Sequence, residues 1–240
     1  MNKLYFGSIT QNKKKIKIIK NPFNKNKLSV GKSIDINKVK FVTPLDPTKI
    51  LCVALNFKGI TNYDKKKEPL IFLKSSNALT IKNKIKIDLT KTTWCEPEIG
   101  IVIKNKIDKK TKNFKNKILG FIIANDITSK NIYGRDHHLL LSKSLDNYCP
   151  ISSFINTSFN FQNKNIFGYF DNQLLRKGNT KEIHWPPEKI LKNISKKITL
   201  YPQDIILTGS PPRIMDRKFI KKGTKFKIHI DKLGTMINYF

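Results

Sequence analysis

The residues best placed to do chemistry are acidic side chains at the ends of two apolar segments. Glu96 and Glu98 stand two apart at the start of an apolar run, although only 17 of 240 residues are acidic. In an extended strand, positions i and i+2 face the same side, so we expect both carboxylates to converge. Asp126 follows a second apolar run and therefore lies at a strand end.

Converging carboxylates repel each other unless a cation or a proton lies between them. Carboxylate oxygens are the ligands that Mg²⁺ or Mn²⁺ prefers, with positions left for water and substrate. The pattern therefore predicts a divalent metal site on Glu96, Glu98 and Asp126. The alternative is an edge strand that carries two solvated acids.

Apolar runs and apolar–polar alternation predict the elements that position these acids. A helix with proline in its first turn is predicted over 187–194, and solvated loops over 104–116 and 156–165. The pattern indicates a β-dominated α+β fold, with a small β-rich N-terminal lobe over residues 1–47. Strands are predicted over 15–20, 50–55, 69–73, 84–89, 98–103, 118–123, 204–207 and 225–230.

The formal net charge of +30 would suit a protein that binds nucleic acid or an anionic membrane. However, 43 of the 47 basic residues are lysine, whereas arginine is the residue that reads phosphates and bases bidentately. Lys, Asn and Ile share AT-rich codons, so an AT-rich genome with solvated lysines is the preferred explanation. No arginine-bearing groove is recognisable among Arg135, Arg176, Arg213 and Arg217, and we expect no nucleic-acid partner.

Other features favour a cytoplasmic protein without a membrane span. No run approaches the eighteen apolar residues that a span requires, and no export signal is recognisable. Cys52, Cys95 and Cys149 are far apart and odd in number, so we expect reduced thiols rather than a disulfide framework or a zinc site.

Several blocks of this sequence, in order from about Lys49 to Phe240, resemble the fumarylacetoacetate hydrolase family. The resemblance implies a mixed β-roll with residues 48–240 as the catalytic domain, usually in a homodimer. It also places Mg²⁺ or Mn²⁺ on the three acids named above. The blocks are Ile50–Phe57, Glu68–Lys74, Asn77–Leu79, Glu96–Ile103, Leu119–Thr128, Lys143–Asp146, Cys149–Pro150, Gly178–Thr180, Tyr201–Pro211 and Leu233–Thr235.

Members of this family act on acylpyruvates and related 2-keto acids by hydrolysis, decarboxylation or tautomerisation. In that chemistry the metal chelates the substrate carboxylate and keto oxygen and stabilises an enolate. By resemblance, Lys143 is the active-site cation, and Gly209 and Ser210 contact substrate through a backbone N–H and a hydroxyl. Lys130 stands where many members have arginine, so anion binding there is expected to be weaker.

The sequence departs from the family at the lid. Hydrolytic members carry a His-x-x-Glu pair where this chain has Ile60 and Tyr63, and general-base help is worth ~10²–10⁴ in rate. Asp64, one residue further on, is the candidate replacement acid, and His137 and His138 are expected in a surface loop. Three hypotheses follow: enolate chemistry that needs the metal more than the lid, hydrolysis with a rebuilt lid, or a decayed non-catalytic paralogue that keeps the fold.

Overall fold

The computed structural model of the chain describes residues 45–60, 68–131 and 137–240 with their side chains, and three N-terminal strands as backbone. These strands are β1 (Tyr5–Ile9), β2 (Lys15–Lys20) and β3 (Ser29–Asp35), which form one antiparallel sheet in the order β1-β2-β3. β2 has the bounds that its alternating sequence predicts. The boundary of the N-terminal lobe at residue 47 stays a prediction.

Thirteen further strands and two helices are described. The helices are α1 (Leu140–Lys143) and α2 (Pro187–Ile194). In chain order the strands are β4 (Ile50–Ala54), β5 (Leu70–Lys74), β6 (Leu79–Thr80), β7 (Thr93–Trp94), β8 (Pro97–Ile103), β9 (Ile118–Asn125), β10 (Thr128–Ser129), β11 (Cys149–Pro150), β12 (Asn165–Phe170), β13 (Gln173–Asn179), β14 (Ile205–Leu207), β15 (Lys225–Ile230) and β16 (Gly234–Tyr239).

The central element is a mixed five-stranded sheet with the order β5-β4-β14-β8-β9. β14 runs parallel to β4 and antiparallel to β8. Every residue of β8 and β14 is buried, because their apolar side chains pack on both faces of the sheet. β9 lies at the sheet edge but is also buried, since isolated bridges from Phe121 to Asn156 and from Ala124 to Ile151 cover it.

A second sheet packs against the first and completes the β-dominated α+β fold, which is confirmed. Its antiparallel strands have the order β13-β12-β15-β16. Contact between the sheets is close, because a Cβ on Gly168 of β12 would come within 2.9 Å of Pro97 Cγ on β8. Helix α2 has its predicted bounds and buries Ile190, Leu191 and Ile194. None of the helices described here is long and apolar enough to cross a membrane.

Two parts of the prediction differ from the structure. The alternating segment 84–89 is not a strand, because its one described β-bridge joins Lys84 to Tyr239, beside a backbone hydrogen bond from the Ile85 amide to the Tyr239 carbonyl at 2.8 Å. The strand hairpin β12–β13 and the last strand, β16, were not predicted. Their sequences mix polar and apolar residues without a compact apolar run, and their burial comes from pairing with neighbours.

A buried carboxylate ties the chain before β4 to the chain before β14. Asp204 is fully buried, and its Oδ1 accepts hydrogen bonds from the Thr48 and Lys49 amides, both at 3.1 Å, and from Thr48 Oγ1 at 2.7 Å. Its Oδ2 accepts from Lys49 Nζ at 2.6 Å and from the Tyr201 amide at 2.8 Å. These bonds fix the register of two parallel strands, so residues 54–57 and 208–210 emerge side by side.

Candidate functional site

The three acids singled out in the sequence lie in one cleft at the ends of the central strands. The cleft has a volume of about 450 Å³, and Glu96, Glu98, Asp126 and Lys143 are among its lining residues. Glu96 precedes β8 and Glu98 lies within it, while Asp126 follows β9, which pairs with β8. The strand register therefore brings together side chains that are up to 30 positions apart in sequence.

Asp126 is held between two ammonium groups. Lys143 Nζ lies 2.5 Å from Asp126 Oδ2, and Lys74 Nζ lies 2.5 Å from Asp126 Oδ1. Lys74 is fully buried at the end of β5 and also donates to the Ile127 carbonyl at 3.1 Å. A buried lysine is tolerated only with such partners, because an unpaired charge away from water is very unfavourable.

Glu96 is ionised and is bound by two cations, Arg176 and again Lys143. Arg176 donates to Glu96 Oε1 at 2.8 Å, and Lys143 donates to Glu96 Oε2 at 3.0 Å. Burial opposes ionisation of Glu96, but the charges of Lys143 and Arg176 outweigh it and lower the pKa to about 2. Burial likewise disfavours the Lys143 ammonium, yet Asp126 and Glu96 raise the Lys143 pKa above its usual value. Lys143 therefore acts as a cation and a donor.

Glu98 has the opposite electrostatic character. Burial and then the charge of Asp126 raise the pKa of Glu98 well above its usual value. Its Oε2 accepts one hydrogen bond from the Gly209 amide, at 2.6 Å. Gly209 has a φ of +93°, and a Cβ there would lie 2.9 Å from both Asn56 Cβ and the Val53 carbonyl oxygen. Glycine is therefore required where the loop after β14 approaches the loop after β4.

The donor set in the cleft fits a hard divalent cation. As arranged here, the described residues contain no group of three or more His, Cys, Asp or Glu side chains spaced to hold a metal ion. The Lys143 ammonium instead lies between Glu96 and Asp126, where it stands in for a cation among carboxylates. Three carboxylates with only oxygen ligands are what Mg²⁺ and Mn²⁺ prefer. The role of the three acids as ligands stays a prediction.

The residues predicted to bind substrate do not all line the cleft. Ser210 lines the cleft, and its buried Oγ has no hydrogen-bond partner among the residues that the structure describes. Gly209 also lines the cleft, but its amide is bound to Glu98. Lys130 is exposed and is not among the residues that line the cleft. Its substrate role, like those of Gly209 and Ser210, stays a prediction.

The lid residues are described only in part. Ile60 lines the cleft and offers no proton acceptor. Tyr63 and the candidate acid Asp64 lie outside the described residues. His137 and His138 are exposed in a turn before α1, and neither lines the cleft.

Sequence reasoning missed Lys74 and Arg176 as site residues. Lys74 ends an otherwise apolar strand, and that single charge was the available signal. Arg176 was visible as one of only four arginines in a chain that uses 43 lysines. No arginine-bearing groove was recognisable in the sequence, yet Arg176, Arg213 and Arg217 all line this cleft. The groove could not be recognised earlier because the three side chains meet only through the strand topology.

Known proteins resemble this chain in sequence and in fold. A family model described as fumarylacetoacetate (FAA) hydrolase C-terminal matches residues 49–240. The uncharacterized protein MJ1656 of Methanocaldococcus jannaschii is 32% identical in an alignment of 235 residues that covers 94% of this chain and 94% of that one.

Solved structures share the fold at low sequence identity. The 5-carboxymethyl-2-hydroxymuconate delta-isomerase of Mycobacterium smegmatis superposes with a TM-score of 0.82 at 21% identity, over 98% of this chain and 92% of that one. The fumarylacetoacetate hydrolase of Exiguobacterium antarcticum superposes with a TM-score of 0.82 at 19% identity, over 98% of each chain. At this identity the likeness shows the fold alone.

Proposed function

The chain belongs to the fumarylacetoacetate hydrolase family, and from that premise we propose that it is a metal-dependent enzyme acting on a small 2-keto acid. The observation that carries the proposal is the meeting of three carboxylates with Lys143 and Arg176 in one cleft, where buried Lys74 also pairs with Asp126. The matching family model, described as a hydrolase domain over residues 49–240, supports an enzyme rather than a binding protein.

Glu96, Glu98 and Asp126 are the residues that would hold Mg²⁺ or Mn²⁺. Such a cation would supply concentrated positive charge for the carboxylate and keto oxygens of a 2-keto acid. Family enzymes commonly use divalent metals, and nothing in the donor set distinguishes Mg²⁺ from Mn²⁺.

The side chains around the acids supply hydrogen-bond donors for substrate oxygens. Lys143 Nζ stays protonated because Asp126 and Glu96 flank it, so it stabilises negative charge rather than accepting a proton. The Ser210 hydroxyl and Arg176 Nε both belong to lining residues and have no partner among the described residues. Buried donors without partners are unfavourable, and a bound substrate oxygen would satisfy them.

This donor-rich cleft favours reactions that leave an electron pair on oxygen and need no strong base. None of the lining residues that the structure describes is a histidine, and Ile60 occupies the lid position. Decarboxylation of a keto acid that carries a carboxylate on the carbon next to the keto group meets this condition. The bond to that carboxylate breaks, its electron pair moves toward the keto oxygen, CO₂ leaves, and water returns a proton to carbon. Tautomerisation and hydrolysis both need a proton acceptor in addition.

The test is turnover with and without a functional acid cluster. Purified protein with Mg²⁺ or Mn²⁺ is given oxaloacetate, acetylpyruvate and fumarylpyruvate, and Glu98→Gln is compared with Glu188→Gln. Glu188 is exposed on α2 and does not line the cleft, so it controls for loss of an acid. We expect the wild-type protein to decarboxylate oxaloacetate. Glu98→Gln should abolish this activity, and Glu188→Gln should retain it. Turnover of the acylpyruvates instead would identify a hydrolase, and no turnover with no metal binding would identify a decayed paralogue.

The remaining partner predictions belong to the same proposal. We expect a homodimer with a small keto acid as its ligand and no nucleic-acid partner. Arg176, the buried arginine of the cleft, is bound to Glu96 and to the Pro211 carbonyl, so its presence does not change the last expectation.

A further inference from the structure

The side-chain amide of Asn125 is buried beside the predicted ligand Asp126. Its Oδ1 accepts a hydrogen bond from the Glu96 backbone amide at 3.1 Å, and its Nδ2 donates to Asn238 Oδ1 at 3.0 Å and to Cys95 Sγ at 3.3 Å. These bonds use the oxygen and both hydrogens of the side-chain amide. Because a backbone N–H can only donate, the oxygen of Asn125 must face Glu96.

The bond between Asn125 and Glu96 stands where the regular sheet ladder ends. β8 begins at Pro97, which pairs with Asn125 and has no N–H to donate. Past that pair, the Asp126 amide donates to the Glu96 carbonyl at 2.8 Å, whereas the Glu96 amide donates to the Asn125 side chain. A hydrogen-bonded antiparallel pair would exchange two backbone bonds at this point. The Glu96 backbone is therefore held on both sides, by the side chain of residue 125 and by the amide of residue 126.

Asn238 extends this support to the second sheet. It is buried in β16 and lies opposite Phe226 of β15, whereas Asn125 ends β9 of the central sheet. Turning the Asn125 side-chain amide around would place its NH₂ group against the Glu96 N–H and its oxygen against Asn238 Oδ1. Such contacts of donor with donor and acceptor with acceptor are unfavourable when they are buried. Glu96 and Asn238 together therefore fix the orientation of this amide.

We propose that Asn125 is a positioning residue of the acid cluster: its side-chain oxygen holds Glu96 beside Asp126 so that both carboxylates can bind one divalent cation. This inference rests on the proposed function, because it assumes that these two acids bind the same ion. Asn125 is not among the residues that line the cleft, so it acts through the Glu96 backbone and touches neither the cation nor the substrate. Asn238 acts one step further away, by holding the Asn125 amide in its orientation.

Calorimetric titration of metal-stripped protein with Mn²⁺ tests this without turnover. Asn125→Leu keeps the approximate size of the side chain and removes the acceptor of the Glu96 amide. We expect it to bind Mn²⁺ about tenfold more weakly than the wild type, as the loss of one buried hydrogen bond predicts. Asn125→Asp keeps an acceptor for Glu96, and the Asn238 amide can turn to donate to the second oxygen, so this variant should bind Mn²⁺ at least as tightly as the wild type. A role in folding alone predicts no difference in Mn²⁺ affinity between the two variants.

Asn156→Leu is the matched control for the loss of a buried side-chain amide. Asn156 is also buried, its Nδ2 donates to the Lys232 carbonyl at 3.2 Å, and it does not line the cleft. Asn156→Leu should lose stability in urea and keep the wild-type affinity for Mn²⁺. Wild-type affinity in Asn125→Leu, equal weakening in Asn156→Leu, or an Asn125→Asp variant as weak as Asn125→Leu overturns the inference and leaves the proposed function standing.

A second variant decides the question if Asn125→Leu does not fold. Asn238→Leu removes one acceptor of the Asn125 amide and should weaken Mn²⁺ binding about threefold, because the amide is then held less firmly. Unchanged Mn²⁺ binding in Asn238→Leu overturns the inference. If the wild-type protein binds no Mn²⁺, the proposed function fails and the inference fails with it.

Discussion

The substitution Gly209→Ala adds one methyl group and tests whether the loop after β14 supports the acid cluster. Its amide donates to Glu98 Oε2 at 2.6 Å, and its φ is +93°. In Gly209→Ala the new Cβ would lie 2.9 Å from Asn56 Cβ and from the Val53 carbonyl oxygen. Real Cβ atoms do not come this close, so the loop must move away from Asn56. This movement breaks the hydrogen bond from the residue 209 amide to Glu98.

The expected loss of stability has two parts. Placing a side chain at positive φ costs about 1–2 kcal/mol, and overpacking against backbone costs about 1–3 kcal/mol. Gly223→Ala separates them, because Gly223 has a φ of +88° but nothing within 4 Å of its would-be Cβ. Gly223→Ala should therefore lose only the first part, and Gly209→Ala about 2–5 kcal/mol in all.

Urea unfolding of both variants measures the stability difference, and calorimetric titration with Mn²⁺ measures the site. Losing a hydrogen bond to a carboxylate is worth about 1.5–3 kcal/mol, so Gly209→Ala should weaken Mn²⁺ binding at least tenfold. Gly223→Ala should leave Mn²⁺ binding unchanged. Equal stability losses in the two variants, together with normal Mn²⁺ affinity in Gly209→Ala, would refute the reasoning about this loop.

Three further predictions concern individual charges. Asp204→Ala should lower the free energy of unfolding by about 3–5 kcal/mol in urea melts, since it leaves the Lys49 ammonium and three backbone amides without their buried acceptor; an effect below about 1 kcal/mol would contradict the tie between β4 and β14. Because the Glu96 pKa is lowered from 4.5 to about 2, its ionisation stabilises the fold above pH 4.5, and this stability is lost as the pH falls toward 2. In metal-free protein, the free energy of unfolding of Glu96→Gln should therefore fall less steeply than that of the wild type between pH 4.5 and 2. Parallel plots of unfolding free energy against pH would argue against the lowered pKa. Lys143→Met should lower kcat/KM for the keto acid by about 10²–10³ although Mn²⁺ binds at least as tightly as in the wild type, because the ammonium no longer competes for Glu96 and Asp126; retained activity would remove Lys143 from the mechanism.

The fold could be predicted largely because its central strands are uniformly apolar. β8, β9, β14 and β15 and helix α2 lie at or close to the positions that their apolar patterns predict. Segment 84–89 alternates but is not a strand, and β12 and β13 pair without a compact apolar run. Alternation shows that a segment is suited to pair, whereas the partner that completes the pair is determined by the rest of the chain.

The acids of the site were accessible from sequence, but their counter-charges were not. Glu96 and Glu98 share a strand face, and spacing alone predicts that they converge. Lys74 lies 52 positions from Asp126, and Arg176 lies 80 positions from Glu96, so only the strand order brings these pairs together. In a chain with 43 lysines, no local pattern distinguishes a buried lysine from the solvated ones. The rarity of arginine was the one compositional signal that pointed to the cleft.

The most direct measurement is the stoichiometry of Mn²⁺ binding to metal-stripped protein, followed by calorimetry or by loss of the free Mn²⁺ electron paramagnetic resonance signal. Glu96, Glu98 and Asp126 are expected to bind one ion per chain, with Glu98→Gln weakening binding at least a hundredfold and Glu188→Gln leaving it intact. No bound ion in the wild-type protein, or equal binding by Glu98→Gln, would contradict the assignment of this cleft as a metal-dependent keto-acid site.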